Sequence, residues 1–503
     1  MDSHILLFTD SAQVTKAFRP GGVYKVASIL RSKGYRVIVN PYCTDLTKKG
    51  WLEVAKKYKS KNLIWVGLST TFLTFNVEKL KQWREQFENS DNEIIQHENA
   101  IDLRFERIVE DIVYNDSHLE WLQKLFDVPL LIGGSQLTRN KNIGKTNNKN
   151  IITVPGYVED ILLDITTKLE KKEMWTDQRN GYYGFDRDSY NRSEFIFTHD
   201  DHIEENEWLP LEVNRGCAFK CAYCTYDNIG IKENYKTSST LLKEIQRNYD
   251  QFGTKGYYVL DDLYNDSQKK IKDLYDNVWS KVDVEWNAYC RLDLLWRFPD
   301  QLKILQDSGL KATGFGIETL DDRAGKVVGK GLGRDRIIET IIKMKDVWKD
   351  NVRTYGLWIA GLPGESTESW ERTFKWQLAE GGDLIHAHHW QPLYINHQYD
   401  TIHKSDIDKN YEKYGYYIQD NVWHHKDGYN RKTAVEFAEK ANGELEKHAL
   451  RVDHHGYGVL RNVGIDHSTI MKRWDYYKKQ ILSKIYSEKN LEKRKRFTNK
   501  FIS

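Results

Sequence analysis

Five short apolar runs punctuate the first 170 residues: HILLFT at 4–9, YRVIVNPY at 35–42, NLIWVGLST at 62–70, VPLLIGG at 128–134 and NIITVP at 150–155. They are continuous rather than alternating, and helix-like stretches separate them, so each predicts a strand buried on both faces. The pattern is that of a doubly wound parallel sheet over 1–170, whose ligand-facing loops lie at the carboxyl ends of the strands. GLSTT, GGSQ and VPGYVED occupy those ends. Residues from about 76 to 126 are charged and helix-prone, which predicts a helical insertion. Periodicity fades over 171–207, the mark of an irregular connection.

A second alternation follows. LPLEVN, GYYVLDD, VEWNAYCR, ATGFGIE, TYGLWIAG and LIHAHHWQ read as strands, with helical segments between them such as TSSTLLKEIQRNYDQF. Six strand–helix units over 208–400 predict a partial (β/α)6 barrel, again with its chemistry at the carboxyl strand ends. Residues 401–503 start rich in Tyr and His and turn helix-like, which predicts an α-rich carboxyl-terminal region. The fold class is α/β.

Composition adds four limits. The chain has 503 residues, a length for several cores. Its five cysteines, an odd number with three crowded together, suit a reducing compartment and metal or catalytic use rather than a disulfide framework. No basic stretch followed by an apolar run opens the sequence, and no window approaches the ~18 apolar residues of a membrane span, so a cytoplasmic protein with no membrane is expected. The net charge of +2 argues for no general nucleic-acid field, although the last 33 residues hold eleven Lys or Arg against three acids. That tail is a candidate for nucleic-acid phosphates, weighed against an ordinary solvated helix face.

The most specific stretch is NRGCAFKCAYCTYD, with Cys217, Cys221 and Cys224 on one short loop and no fourth ligand nearby. A structural zinc site closes with four ligands, usually in separated pairs. Three thiolates with one vacancy match a 4Fe–4S cluster whose fourth iron is left for a small molecule. This CxxxCxxC, at the end of the first barrel strand, resembles the radical S-adenosylmethionine (radical SAM) superfamily, and the similarity spans roughly residues 190–400.

The resemblance implies that the cluster binds SAM and cleaves it to a 5′-deoxyadenosyl radical, with electrons from a reducing partner such as flavodoxin or ferredoxin. It also implies site residues. Tyr223 packs near the adenine; Asp261 and Asp262 hold the methionine amine; Arg291 takes the SAM carboxylate; Glu318 contacts the ribose; the backbone at Ile359 and Gly361, in GLWIAGLPGES, lines the adenine. Each has a structural alternative: the two aspartates as helix caps, Arg291 and Glu318 as barrel ion pairs. Strand alternation puts Arg291, Tyr289, Asn287 and Glu285 inward and turns Cys290 outward as a packing residue. Cys43 reads as an inert buried thiol.

The flavodoxin-like first sheet is similar to that of the cobalamin-binding subclass, many of whose members are methyltransferases. Ser69, Thr70, Gly133, Gly134 and Gly156 are the candidate cobalamin contacts, with tight loop geometry as the alternative. One motif departs: DxHxxG, whose His ligates cobalt, is absent after the first strand, which reads FTDSAQVTKAF. Either cobalamin binds without a protein lower ligand or the sheet is a scaffold. The functional expectation is a cobalamin-type radical SAM methyltransferase. The alternatives are a cobalt-free radical enzyme for rearrangement, oxidation or ring formation, and a non-catalytic iron–sulfur protein. Methylthiotransferases bring extra cluster cysteines that this chain lacks. In IHAHHWQ, His386 and His388 share one side of a strand, either as an inward pair facing substrate or as barrel lining. Asn430 is expected to cap the helix that follows it.

Overall fold

The computed structural model describes residues 3–11, 16–71, 116–134, 137, 146–175, 194–225, 235–396, 404–451 and 456–503. The expected insertion before residue 116, residues 176–193 of the expected connection, and Ser135 and Gln136 of GGSQ lie outside them.

All five amino-terminal runs are strands: β1 (His4–Phe8), β2 (Arg36–Asn40), β3 (Leu63–Ser69), β4 (Leu130–Gly133) and β5 (Ile151–Thr153). They form one parallel sheet in the order β2-β1-β3-β4-β5. Successive residues of β1 go to opposite layers. Ile5 and Leu7 join the core beneath the helix Gly21–Arg31, while Leu6 and Phe8 join a second core with Trp51 and Phe126. Two-faced burial is why these runs do not alternate in polarity.

The second sheet is parallel too, in the order β6 (Leu209–Leu211), β7 (Gly256–Val259), β8 (Glu285–Cys290), β9 (Leu310–Glu318), β10 (Arg353–Ala360) and β11 (Ala387–Pro392). The helices between its strands have side-chain caps. Thr237, Ser267, Asp321 and Ser366 each accept a backbone N–H of the first helical turn. In β8, Trp286, Ala288 and Cys290 are buried against the helices, while Tyr289, on the side of Arg291, is 46% exposed. The two sheets share a core that runs under Phe195 and Phe197. Arg31 forks onto Asp201 (2.8 Å to each oxygen) and Arg19 pairs with Glu207 at 2.7 Å, tying residues 194–207 to the first sheet.

A hairpin of β12 (Tyr416–Gln419) and β13 (Val422–His425) leads to the helix Arg431–Lys447, which Asn430 caps by accepting the Thr433 N–H at 3.0 Å. The last helix, Tyr476–Ile502, returns to the first sheet. Its Phe497 and Phe501 complete the core around Phe8, Tyr42 and Trp51. Arg494, fully buried, bonds Asp10 through both terminal nitrogens (2.9 and 3.0 Å) and Asp45 through Nε (2.8 Å). Lys493 faces Glu207 at 3.4 Å, and Arg496 forks onto Glu204. These three basic residues are engaged by acids of the described chain. Among the described residues no helix is long and apolar enough to cross a membrane.

Candidate active site

The cysteine loop leaves β6 through Gly216, whose φ of 75° is the left-handed region that favours glycine. Two segments distant in sequence hold the loop: the Ala222 N–H donates to the Val328 carbonyl (3.1 Å), and the Ile407 N–H donates to the Ala222 carbonyl (2.9 Å). Gly329, at φ 81°, lets the Val328 segment approach. A Cβ there would stand 3.4 Å from the Lys220 oxygen and 3.8 Å from the Cys221 Cα. Cys217, Cys221 and Cys224 are half-buried, whereas Cys43 and Cys290 are buried. Among the described residues no three ligating side chains gather as the ligands of one ion would. A cubane takes each thiolate on a different iron, and this donor set fits it.

Arg291 ends β8, 7% exposed, with its backbone N–H donating to Asn265 Oδ1 (2.8 Å). Its guanidinium forks onto Asp293 (2.8 and 2.9 Å), donates from Nη1 to Cys221 Sγ (3.3 Å) and lies 4.0 Å above the Phe219 ring. Burial opposes its charge, and the Asp293 carboxylate more than restores it. Glu318, 6% exposed, ends β9 at a register shift against β10. Its φ of 69° is strained for a side-chain-bearing residue. Tyr223 OH donates to Glu318 Oε1 at 2.7 Å, and Lys330 Nζ stands 3.6 Å from the same oxygen while donating to the Gly316 carbonyl at 2.7 Å. Gly316 leaves room for this carboxylate, because a Cβ there would lie 2.3 Å from Glu318 Oε1 and would displace it. Tyr223, Arg291 and Glu318 thus converge on the cysteine loop.

The other expected SAM contacts divide. Asp262 lines the cleft described below, but Asp261 turns into the sheet, where Oδ1 accepts the Val213 N–H at 2.9 Å. Burial pushes its carboxyl up to about 7, with Lys270 opposing. Asp261 Oδ1 therefore ties β7 to the segment after β6, while its Oδ2 is buried without a hydrogen-bond partner. The helix that these aspartates were weighed as capping is capped by Ser267 instead. Ile359 is buried, and Gly361, at φ 102°, accepts Tyr416 OH (2.6 Å) on its carbonyl. Trp423 fills the space that a Gly361 Cβ would need. The β12–β13 hairpin thus covers the end of β10.

Asp293, Lys330 and Glu365 escaped the sequence reading. Glu365 lies inside the quoted GLPGES. It accepts Thr319 Oγ1 (2.6 Å), Trp370 Nε1 (2.6 Å) and the Leu362 N–H (3.1 Å), bracing the residue next to Glu318, and burial pushes its carboxyl up to about 8. His386 and His388 do not face substrate. His388 is fully buried, accepts Trp358 Nε1 at 3.2 Å and packs among Trp358 and Trp376. Register pairs it with Gly356, and the other side of β11 belongs to His389, opposite Leu357.

A cleft of about 410 Å³ runs from the carboxyl edge of the first sheet to the barrel. Ser69, Gly133, Gly134 and Gly156 line it with Trp65, Leu131 and Val154; Gly216, Leu260 and Asp262 close its barrel side. Gly216 directly precedes Cys217, so the cleft opens onto the cysteine loop. Thr70 is not a lining residue. It is buried, with its N–H on the Gly133 carbonyl (2.8 Å), and Thr71 takes the lining place. Positions 22 and 133 admit a ligand closely, since a Cβ would meet nothing within 4 Å at Gly22 and only the Val154 oxygen, at 3.8 Å, at Gly133. Charge in the cleft is internally matched: Glu212 accepts from Lys25 and Arg215 at 2.7 Å each, and Arg215 also pairs with Glu159. Burial lowers Lys25 to about 8.

Residues 211–376 match the radical SAM superfamily. Among curated proteins, an uncharacterized methyltransferase of Pyrococcus horikoshii is 26% identical over 165 residues, covering 32% of this chain and 35% of that protein. The ribosomal protein uS12 methylthiotransferase RimO of Sulfurovum is 25% identical over 191 residues, covering 36% and 42%. The chain thus spans well under half the length of these relatives. Among solved structures, the radical SAM methyltransferase TsrM from Kitasatospora setae, with cobalamin and a [4Fe-4S] cluster bound, superposes with a TM-score of 0.56 at 14% identity, covering 84% of this chain and 77% of TsrM. The cobalamin-dependent SAM radical enzyme OxsB, with aqua-cobalamin and SAM bound, gives 0.54 at 14% identity, covering 96% and 66%. The three-cysteine loop, the residues converging on it and the match over 211–376 agree: residues 211–376 of the chain carry a radical SAM domain.

Proposed function

We propose that this enzyme is a cobalamin-using methyltransferase. The observation that carries the reading is the cleft, which begins at the carboxyl edge of a doubly wound sheet and ends beside the cysteine loop. Its apolar walls, Trp65, Leu131 and Val154, and its glycine floor suit a bulky, largely uncharged ligand, since its ionic groups already satisfy one another. TsrM and OxsB, similar in fold, are both described with cobalamin bound.

Cys217, Cys221 and Cys224 would hold the 4Fe–4S cluster, Arg291 the SAM carboxylate, and Glu318 with Tyr223 the ribose and adenine side. Bound in these places, the cluster supplies the electron that cleaves SAM, and cobalamin supplies the methyl group. Lys330 holds Glu318 in its strained conformation, and the Asp293 fork fixes the plane of Arg291, so both SAM contacts are set before the ligand arrives. A flavodoxin or ferredoxin would deliver the electron.

The loop after β1 contains no histidine, and Arg494 clamps its Asp10. Cobalamin bound here would therefore have no protein imidazole on its lower face. The test is equilibrium binding of hydroxocobalamin to the anaerobically reconstituted protein, followed by electron paramagnetic resonance of the reduced cobalt. Binding without nitrogen splitting from a protein imidazole is expected. Splitting would refute the coordination, and failure to bind would leave a cobalt-free radical enzyme.

A further inference from the structure

Register sorts the inward side chains of the barrel into tiers. Tyr258 pairs with Asn287, Asn287 with Ala312 and Ala312 with Arg353, which makes the lowest tier. Two residues on, about 6.6 Å nearer the carboxyl ends of the strands, Tyr289 pairs with Gly314, Gly314 with Tyr355 and Tyr355 with Ala387. Leu260, two residues beyond Tyr258, belongs to this second tier, and its N–H continues the β6–β7 ladder by donating to the Leu211 carbonyl (2.9 Å). The third tier holds Arg291, Gly316, Leu357 and His389.

The lowest tier is closed from below. Tyr258 and Ala312 share a core with Tyr457, Leu460 and Ile470, and a Cβ at Gly458 would stand 3.2 Å from Asn287 Oδ1. The second tier carries no charged group and is unfilled: Leu260 is 40% exposed and Tyr289 46%. Barrel interiors are ordinarily packed solid by such side chains. Here Gly314 contributes no volume, and both tyrosines lean over it, since a Cβ there would lie 2.3 Å from Tyr355 Cε2 and 2.9 Å from Tyr289 Cε1. The two rings meet edge to face, 6.1 Å apart at 81°. Tyr355 thereby holds Tyr289 in place, so a ligand resting on it has little side-chain freedom to remove.

Position gives this bare apolar pair its use. Leu260 also lines the cleft from the first sheet, and Tyr289 lies one tier beneath Arg291. A group resting on the pair therefore borders both the cleft and the residues that converge on the cysteine loop. We infer that Leu260 and Tyr289 seat the substrate, and that the part seated there is an aromatic ring. Any apolar group would gain by covering these side chains, and a flat ring adds offset or edge-to-face contact with Tyr289. The link from this seat to methyl transfer rests on the function proposed above.

The experiment is ligand-observed saturation-transfer NMR on the anaerobically reconstituted full chain with SAM present. The probes are benzyl alcohol and cyclohexylmethanol, alike in shape and differing in the aromatic ring. Low-millimolar binding of benzyl alcohol is expected, at least threefold tighter than cyclohexylmethanol. Tyr289→Leu, which stays apolar but removes the ring, should weaken benzyl alcohol at least threefold and abolish the preference, while Tyr289→Phe stays within twofold. Cyclohexylmethanol bound as tightly as benzyl alcohol, or a benzyl alcohol affinity that Tyr289→Leu leaves unchanged, overturns the inference. So does a loss in Tyr289→Phe as large as that in Tyr289→Leu, which would assign the effect to the hydroxyl. Should Tyr289→Leu lose its iron, Leu260→Ala decides: at least twofold weaker benzyl alcohol is expected, and no change overturns the seat. Hydroxocobalamin binding, measured separately, keeps the two readings apart. Protein that holds benzyl alcohol but not hydroxocobalamin retains the ring seat and loses the methyl donor; protein that holds hydroxocobalamin and shows no preference for benzyl alcohol loses the ring seat alone.

Discussion

Replacing Arg494 by alanine tests whether the last helix is part of the first sheet's core or merely rests on it. The guanidinium is fully buried, bonds Asp10 twice and Asp45 once, and lies 4.7 Å over the Tyr42 ring. Deleting it leaves the Asp10 carboxylate, itself fully buried, without its cation. Breaking a buried pair from one side costs about 3–5 kcal/mol, because the surviving charge remains desolvated. At 1.36 kcal/mol per power of ten, local opening of the sheet would become roughly two to four powers of ten more frequent. Hydrogen exchange read by mass spectrometry on peptides covering β1, β2 and β3 measures this directly. Arg494→Met combined with Asp10→Asn should recover at least half of the loss, since the fully buried Asp10 charge is then removed and only the partly exposed Asp45 loses a cation. Lys495→Ala, at an exposed neighbour, should change nothing beyond about 0.5 kcal/mol. Faster exchange confined to the carboxyl-terminal peptides, with the sheet unaffected, would refute the reasoning.

Cys217→Ala, Cys221→Ala and Cys224→Ala should each abolish bound iron and sulfide in anaerobically purified protein, while Cys43→Ala and Cys290→Ala retain it by iron analysis; zinc in the wild type would contradict the cluster. Arg291→Ala and Glu318→Ala should weaken SAM binding at least tenfold with iron content intact, because each removes a charged hydrogen-bonding group and spares the thiolates; unchanged SAM affinity would return them to barrel ion pairing. His388 is held neutral, lowered to about 3 chiefly by burial, whereas an unfolded histidine titrates near 6.5. Its stabilising contribution is complete above pH 6.5 and declines as pH falls, by about 2 kcal/mol between pH 6.5 and 5. His388→Gln should flatten the stability profile over that interval by about one proton, and an unchanged slope would contradict it.

The parallel strands were legible because two-faced burial writes itself as unbroken apolar runs, and the cysteine loop because few ligand sets share its spacing. What sequence left open was phase. Asp261 and Asp262 are adjacent, and only the position where β7 stops pairing decides which one turns into the sheet and which lines the cleft. The same one-residue ambiguity separates Thr70 from Thr71. Alternation correctly grouped His386 with His388, but the tryptophan layer formed by Trp358, Trp376 and Trp390 places that side outward. The ion pairs of the basic tail were hidden for another reason. Lys493 and Arg494 find their acids, Glu207, Asp10 and Asp45, hundreds of positions earlier in the chain, and no local pattern announces such a pairing. Lys330 sits in a loop, where side-chain direction has no period to follow, and Asp293 in the first turn of a six-residue helix, Leu292–Arg297, too short to show one.

The return of the last helix to the first sheet also sets a timetable for synthesis. β1, β2 and β3 leave the ribosome early, yet the surface around Phe8, Tyr42 and Trp51 stays uncovered until Phe497 and Phe501 emerge. At 5–20 residues per second, translating the intervening 400-odd residues takes roughly 20–90 s. For that interval the nascent chain carries an apolar sheet face and the unneutralised Asp10. A ribosome that stalls anywhere in the barrel releases a fragment whose first sheet has been made in full and cannot close.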